Sequence, residues 1–206
     1  MNSTTLAGWF LIIGPILILA SFAGWPTDAE NYQEELIDLA KNPSMSILIM
    51  TGFFIGITLL FTGLTVTSRL ISEGNTRLSS LAVPSGILFP LCIAITMASV
   101  GLNFGAVRLY ETSIENATTI YLISYHITDV IGLAMGISFI LLGAGLIGKY
   151  KDLFRRVIGL LYSIIGICHL IGVFITSTDL GPISWLGMFF VSIVFGVAVL
   201  RGKSQE

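Results

Sequence analysis

The residues of this sequence best suited to chemistry are two histidines and one aspartate that lie inside apolar stretches. His126 and His169 are the only histidines of the chain, and each lies within a long apolar run. Asp129 follows His126 by three residues, so an α-helix would place both side chains on one face. Asn103 adds an amide in an earlier apolar stretch. Burying ionisable groups in such surroundings is expensive, which makes them candidates for a functional site.

The positions of these residues predict that they lie at one depth. His126 lies about six residues, and His169 about seven residues, from the neighbouring ends of two consecutive apolar stretches. At 1.5 Å per residue both would lie roughly 9–11 Å below one membrane boundary. A short loop joins the two stretches, so we expect antiparallel neighbouring helices whose histidines face each other. Asn103 falls at nearly the same depth, and the predicted ligand or cofactor pocket is lined by Asn103, His126, Asp129 and His169.

Three further residues are predicted to support this pocket. Arg108 lies closer to the membrane boundary than Asn103, and its long side chain could reach inward or extend to the interface. Tyr125 and Tyr162 offer hydroxyl groups in the same two stretches that carry the histidines.

This set of residues permits several kinds of site. The two histidines could be the axial ligands of a single b-type haem. His126, Asp129 and His169 could instead hold one metal ion through two imidazoles and a carboxylate. The set could also form a small-molecule pocket or a proton-linked site in which Asp129 titrates. Finally, the same groups could only tie helices together through hydrogen bonds.

Composition requires a membrane around these residues. Of the 206 residues 54% are hydrophobic and only 11% are charged, against roughly 25% charged residues in an ordinary soluble domain. A transmembrane helix needs about 20 apolar residues, and six stretches are long enough. They predict an all-α six-span bundle, a single membrane domain over 1–206, with spans at about 6–25, 45–68, 81–109, 119–148, 156–176 and 181–200.

The loop after the first stretch carries its own pattern. Tyr32, Leu36 and Leu39 recur at helical spacing, with Glu34 and Glu35 on other faces. This pattern predicts a short amphipathic helix over about 28–42, lying on the outer membrane surface. The first stretch has no Lys or Arg before it, so we expect it to be a retained span rather than a signal peptide.

The distribution of basic residues predicts the orientation. One set of loops and ends carries eight basic residues, Arg69, Arg77, Lys149, Lys151, Arg155, Arg156, Arg201 and Lys203, and the opposite set carries only Lys41 and Arg108. Because Lys and Arg concentrate on the cytoplasmic side, both termini are predicted to be cytoplasmic, in a multi-pass protein of the plasma membrane.

Partners are predicted mainly within the bilayer. A net charge of −2 gives no reason to expect nucleic acid. The lipid bilayer itself is the first partner, and a small hydrophobic ligand fits the pocket. The pairs Gly52/Gly56, Gly101/Gly105 and Gly132/Gly136 let helices approach closely, within one chain or between the chains of a homo- or hetero-oligomer.

One part of the chain resembles a known family. A glycine-rich stretch over 136–148 is followed by a basic loop and by a second glycine-rich stretch over 156–166. This arrangement, about a third of the chain, is similar to an uncharacterised family of small prokaryotic multi-span membrane proteins, catalogued as a domain of unknown function. The resemblance implies no activity.

The function predicted from these observations is binding of a small ligand or cofactor in a polar pocket in the outer leaflet. A proton-linked transporter or channel and a structural or accessory membrane subunit are the alternatives. No enzyme motif, such as a phosphate-binding glycine loop or a zinc-protease helix, occurs in the sequence, so we do not expect an enzyme.

Overall fold

The computed structural model describes residues 2–25, 29, 31–175 and 180–201, and this part of the chain is almost entirely helical, without strands. Seven α-helices and a short 3-10 turn follow one another: α1 (Ser3–Ala23), α2 (Tyr32–Lys41), α3 (Pro43–Ser72), the 3-10 turn (Ser79–Leu81), α4 (Ala82–Leu109), α5 (Ile114–Lys149), α6 (Leu153–Phe174) and α7 (Leu180–Arg201). All of these elements but α2 belong to segments long and apolar enough to cross a membrane, the 3-10 turn being the start of the segment Ser79–Leu109. The predicted six-helix membrane bundle is confirmed. Residues 28, 30 and 176, which fall in predicted helices, lie outside the described residues.

Side-chain caps determine where several helices begin. Asn31 accepts hydrogen bonds from the backbone N–H groups of Gln33 and Glu34 at the start of α2. Asn42 ends α2 and, at the same time, caps α3 by accepting from the backbone N–H of Met45. Ser46 reinforces this corner, because its hydroxyl donates to the carbonyl of Leu39 at 2.7 Å. The amphipathic helix predicted over 28–42 is thus present as α2, fixed to the start of α3.

The six long helices form a closed ring. Each packs against the next in the chain, and α7 packs back against α1. Glycines allow the closest approaches. A Cβ added at Gly14 would lie 2.8 Å from the carbonyl oxygen of Gly56, and one at Gly143 would overlap that of Gly159. Helices pack in membranes largely through such small-residue contacts, and here the contacts link helices of one chain.

Two of the three predicted glycine pairs take part in this internal packing. Gly56 packs against α1, and Gly136 packs against α6 close to the carbonyl oxygen of Gly166. A Cβ at Gly101 or Gly105 would meet nothing within 4 Å among the described residues. Association of two chains through a glycine face therefore stays a prediction for the α4 pair.

The two ends of the ring differ in charge and in packing. One end of the ring carries the 3-10 turn and the connection between α5 and α6, together with Arg69, Arg77 and Lys149. We call it the basic end; α1 begins there and α7 ends there. The opposite, acidic end carries α2. Toward the basic end, the axis of the ring is filled by the buried rings of Phe61, Phe89, Phe139 and Tyr162, with successive centroids 5.3–5.7 Å apart.

Gly143→Ala is expected to destabilise the bundle, because the new methyl group would press on the backbone of α6 at Gly159 and Ser163. Overpacking of this kind typically reduces the free energy of unfolding by about 1–3 kcal/mol. Gly101→Ala is the matched control, since its Cβ meets no described atom within 4 Å. Unfolding of both variants in detergent, followed by circular dichroism, measures the difference; equal stability would contradict the packing described for α5 and α6.

Candidate functional site

The acidic half of the ring encloses a cavity of about 730 Å³. All six long helices contribute to its lining, together with Trp25 and with Glu35 of α2. Most aromatic side chains of the lining come from α1, α3 and α7 and include Phe22, Phe53, Trp185 and Phe189. The hydroxyl and amide groups come mainly from α4 and α5, on Thr96, Ser99, Asn103, Ser124 and Thr128, together with the phenols Tyr121 and Tyr125. The cavity thus has one aromatic wall and one weakly polar wall.

Most hydroxyl groups of the polar wall are already bonded to the helices. Ser124 donates to the carbonyl oxygen of Ser99 at 2.9 Å, and its hydroxyl lies 2.8 Å from that of Ser99. Thr96 and Thr128 each donate to a carbonyl oxygen four residues earlier in their own helix. The Ser99 and Ser124 contact joins α4 to α5, whereas the two threonines bond within their own helices. Few hydroxyl protons of this wall are therefore left to donate to a molecule in the cavity.

His169 lies at the deep end of the cavity. Its side chain is only 4% exposed, stacks on Phe139 with centroids 6.1 Å apart, and meets the ring of Trp185 edge-on at 5.7 Å. The Nδ1 atom lies 3.1 Å from the hydroxyl of Ser184. The Nε2 atom is buried and has no hydrogen-bond partner among the described residues.

Asn103 lies much nearer the mouth of the cavity. It is one helical turn beyond the contact between Ser99 and Ser124, and its Oδ1 atom is buried without a hydrogen-bond partner in the described part of the chain. A buried polar atom without a partner is rare in proteins and calls for an explanation. The cavity therefore has two such atoms in its lining residues, one deep and one near the mouth.

The depth predicted for these residues from the sequence is wrong. Gly136 of α5 packs against Gly166 and Leu170 of α6, so His169 lies at about the level of Gly136. Gly136 follows His126 by ten residues, which at 1.5 Å per residue puts His169 about 15 Å further along the bundle axis than His126. The prediction assumed that neighbouring spans end at one level. Instead α6 ends at Phe174, while α5 continues past it toward the acidic end.

The predicted pocket is assembled only in part. Asn103, Asp129 and His169 all line the cavity, but His126 is outside its lining. The side chain of His126 is 65% exposed and lies 3.5 Å from the carboxylate of Asp129, which is itself 58% exposed at the rim. His126 follows the inward-facing Ser124 by two residues, a rotation of about 200° around the helix, so its ring faces away from the cavity.

The described residues do not assemble the haem or metal site that the sequence suggested. No group of three or more His, Cys, Asp or Glu side chains lies close enough together in this part of the chain to hold a metal ion. His126 and His169 differ in depth and face different surroundings, so these two rings are not opposed across one haem iron.

The supporting residues also separate. Tyr125 lies at the cavity rim beside Asp129, and its ring meets that of His126 edge-on. Tyr162 belongs to the aromatic packing toward the basic end and lies 3.0 Å from the hydroxyl of Ser192. Arg108 is exposed in the last turn of α4.

Trp25 lines the acidic end of the cavity together with Glu35 of α2, the amphipathic helix predicted over 28–42. The indole Nε1 of Trp25 donates to the Glu35 carboxylate at 2.8 Å, while Leu36 and Leu39 are buried against α3, α4 and α5. We call α2 the lid. The expectation that Glu35 lies on another face than Tyr32 and Leu39 is wrong, because spacings of three and four residues place it beside both, and it lines the cavity.

Comparison of the chain with protein-family models, with curated proteins and with solved structures finds no match. The resemblance to a multi-span family of unknown function therefore stays a prediction, and the site has to be interpreted from its own geometry.

Glu35→Ala is expected to loosen the lid, because the Trp25 indole loses its carboxylate acceptor. A hydrogen bond to a charged group stabilises by about 1.5–3 kcal/mol, so amide hydrogen exchange at Leu36 and Leu39 should accelerate at least severalfold. Trp25→Phe should reproduce the effect. Gln33→Ala, an exposed change on the same helix, is the control and should leave exchange at these amides unchanged; equal acceleration in the control would mean that the contact does not hold the lid.

Proposed function

We propose that this protein binds a small, mainly apolar molecule with few polar groups in the cavity of the acidic half. The observation that carries this proposal is the cavity of about 730 Å³ itself, whose lining joins aromatic side chains to the polar residues Asn103 and His169.

The size and walls of the cavity support a small-molecule ligand. Ligand pockets in proteins typically measure roughly 300–1,000 Å³ and combine apolar walls with a few placed polar groups, and a volume of about 730 Å³ lies within this range. The aromatic wall, including Phe53 and Trp185, would contact the body of the molecule. Because the hydroxyls of Thr96, Ser124 and Thr128 are already donated within the helices, recognition would depend on a small number of polar contacts.

The closed floor favours binding over transport. The packed rings of Phe61, Phe89, Phe139 and Tyr162 separate the cavity from the basic end. A transporter using Asp129 as its titrating group would need a path past these rings, and Asp129 lies at the rim rather than along such a path. A purely structural subunit would have no use for a cavity with unpartnered polar atoms.

The basic residues support an orientation for this site. Among the described residues, seven Lys and Arg belong to the basic end and two to the acidic end, a distribution that by the positive-inside rule supports a cytoplasmic basic end. The cavity would then lie in the outer half of the plasma membrane, covered by the lid, with both chain termini inside the cell.

Filling the cavity should remove the bound molecule. Val100 is 8% exposed and lines the cavity, so Val100→Trp would occupy much of the space. Met97→Trp is the matched control, because Met97 lies on the same helix and is 64% exposed toward the outside. Mass spectrometry of organic extracts from the purified proteins should detect a small molecule with the unaltered chain and with Met97→Trp, and at least tenfold less with Val100→Trp.

The milder Val100→Phe variant keeps this experiment interpretable if the larger ring disturbs folding, which size-exclusion chromatography would reveal. Identical extracts from the unaltered chain and from a folded, cavity-filled variant would overturn the proposed function.

A further inference from the structure

We infer that the molecule held in this cavity carries a positive charge on a mainly apolar body, as a hydrophobic ammonium compound does. This inference rests on the proposed function and specifies the class of ligand. It follows from the sign of the charges that line the cavity and from the arrangement of the aromatic rings beside them.

The charged side chains of the lining are both acidic. Among the described residues, the carboxylates of Glu35 and Asp129 line the cavity, and no lysine or arginine does. Glu35 lies on the lid and is partly buried, whereas Asp129 lies on α5 with its side chain 58% exposed. Charges that act across a cavity with low-dielectric walls are screened less than charges in water. A positive ligand is therefore attracted without having to touch either carboxylate.

No basic side chain of the described chain neutralises these two carboxylates. Glu35 takes part in none of the ion pairs there, and Asp129 has only the imidazole of His126 at 3.5 Å, which is charged only when protonated. Of the two basic residues at the acidic end, Lys41 is paired on its own helix and Arg108 is exposed in the last turn of α4. Burying a charge without a counter-ion is unfavourable, and a cation in the cavity would offset this cost.

The aromatic wall begins beside Glu35 and continues toward the deep end. The indole Nε1 of Trp25 donates to the Glu35 carboxylate at 2.8 Å, and its ring meets that of Phe53 edge-on at 6.5 Å. Ring contacts of 5.6–6.4 Å between centroids extend the wall through Phe22, Phe189 and Trp185. All five rings line the cavity. Aromatic rings attract cations, and tryptophan does so most strongly.

These features select among the classes of ligand. Two carboxylates repel an anion, and a neutral apolar molecule would leave both charges uncompensated. An ammonium group near Trp25 and Glu35 meets a negative charge and an indole together, while its apolar body packs along the remaining rings. The ammonium group can belong to a free amine or to the headgroup of a membrane lipid, since both present the same chemistry to this end of the cavity.

The class is tested with three probes of similar shape: phenylbutyltrimethylammonium, its uncharged isostere with carbon in place of the quaternary nitrogen, and phenylbutanesulfonate. Thermal stabilisation of the full-length protein in an uncharged maltoside detergent measures binding. The shift of the cavity-filled Val100→Phe variant is subtracted to remove effects on the micelle. We expect the ammonium probe to bind on the order of tenfold more tightly than the isostere, and the sulfonate to bind most weakly. High ionic strength should weaken binding of the ammonium probe and not that of the isostere.

Variants that remove one charge provide the decisive comparison, because each probe partitions into the micelle equally with every variant. Glu35→Gln and Asp129→Asn keep the shape of the side chain, and the new amide of Glu35→Gln can still accept the Trp25 indole N–H. Each variant should weaken binding of the ammonium probe severalfold and leave binding of the isostere unchanged. If one of them does not fold, the other comparison remains.

Glu115→Gln is the matched control, because it removes an exposed carboxylate from the first turn of α5, outside the cavity lining. It should leave binding of both probes unchanged. An equal loss in this control would assign the effect to the net charge of the protein and overturn the inference, as would unchanged binding of the ammonium probe in both charge-removing variants.

The co-purified molecule provides an independent test and identifies its source. The compound that is lost with Val100→Trp should contain a basic or quaternary nitrogen, and its mass distinguishes a free amine from a lipid. A co-purified compound without such a nitrogen, or equal binding of all three probes, overturns the inference while the proposed function stands. If no probe binds and no molecule co-purifies, both fail.

Discussion

The close approach of helix backbones at glycine is the interaction on which this structure depends. Inside a bilayer the backbone must satisfy its own hydrogen bonds, so the spanning segments are helices, and helices gain little from hydrophobic association in lipid. Contacts such as Gly14 with Gly56 and Gly143 with Gly159 therefore set how tightly the ring closes. A ring of six helices leaves space along its axis. Aromatic side chains fill that space toward the basic end, and the cavity is what remains toward the acidic end.

Much of the fold was predictable because hydropathy and helix length respond to one simple constraint, the thickness of the membrane. The six spans and the amphipathic α2 follow from it. The candidate site depended on relations that hydropathy does not contain. We predicted that His126 and His169 face each other because each lies at a similar number of residues from the end of its apolar stretch. However, α5 extends past the end of α6, so similar distances from the ends do not give the same depth. Rotation about the helix then decided that Ser124 faces inward and His126 outward.

The groups that shape the cavity could be found only in three dimensions. Ser99 and Ser124 are separated by 25 residues and meet because α4 and α5 pair in a particular register, which no local pattern specifies. Ser184 matters through its position beside His169 rather than through its residue type. Glu35 was expected on the polar side of α2 because of its charge, but it lines the cavity, where the Trp25 indole bonds to its carboxylate.

The corner between α2 and α3 has a mechanical consequence. Asn42 is the last residue of one helix and the cap of the next, and Ser46 bonds back to Leu39 across the corner. The carboxyl end of the lid is therefore fixed to α3 by backbone and side-chain hydrogen bonds, whereas its first half is held by side chains alone, through Glu35 and the buried Leu36. Changes to these side chains should affect the first half of the lid and leave the corner at Asn42 in place.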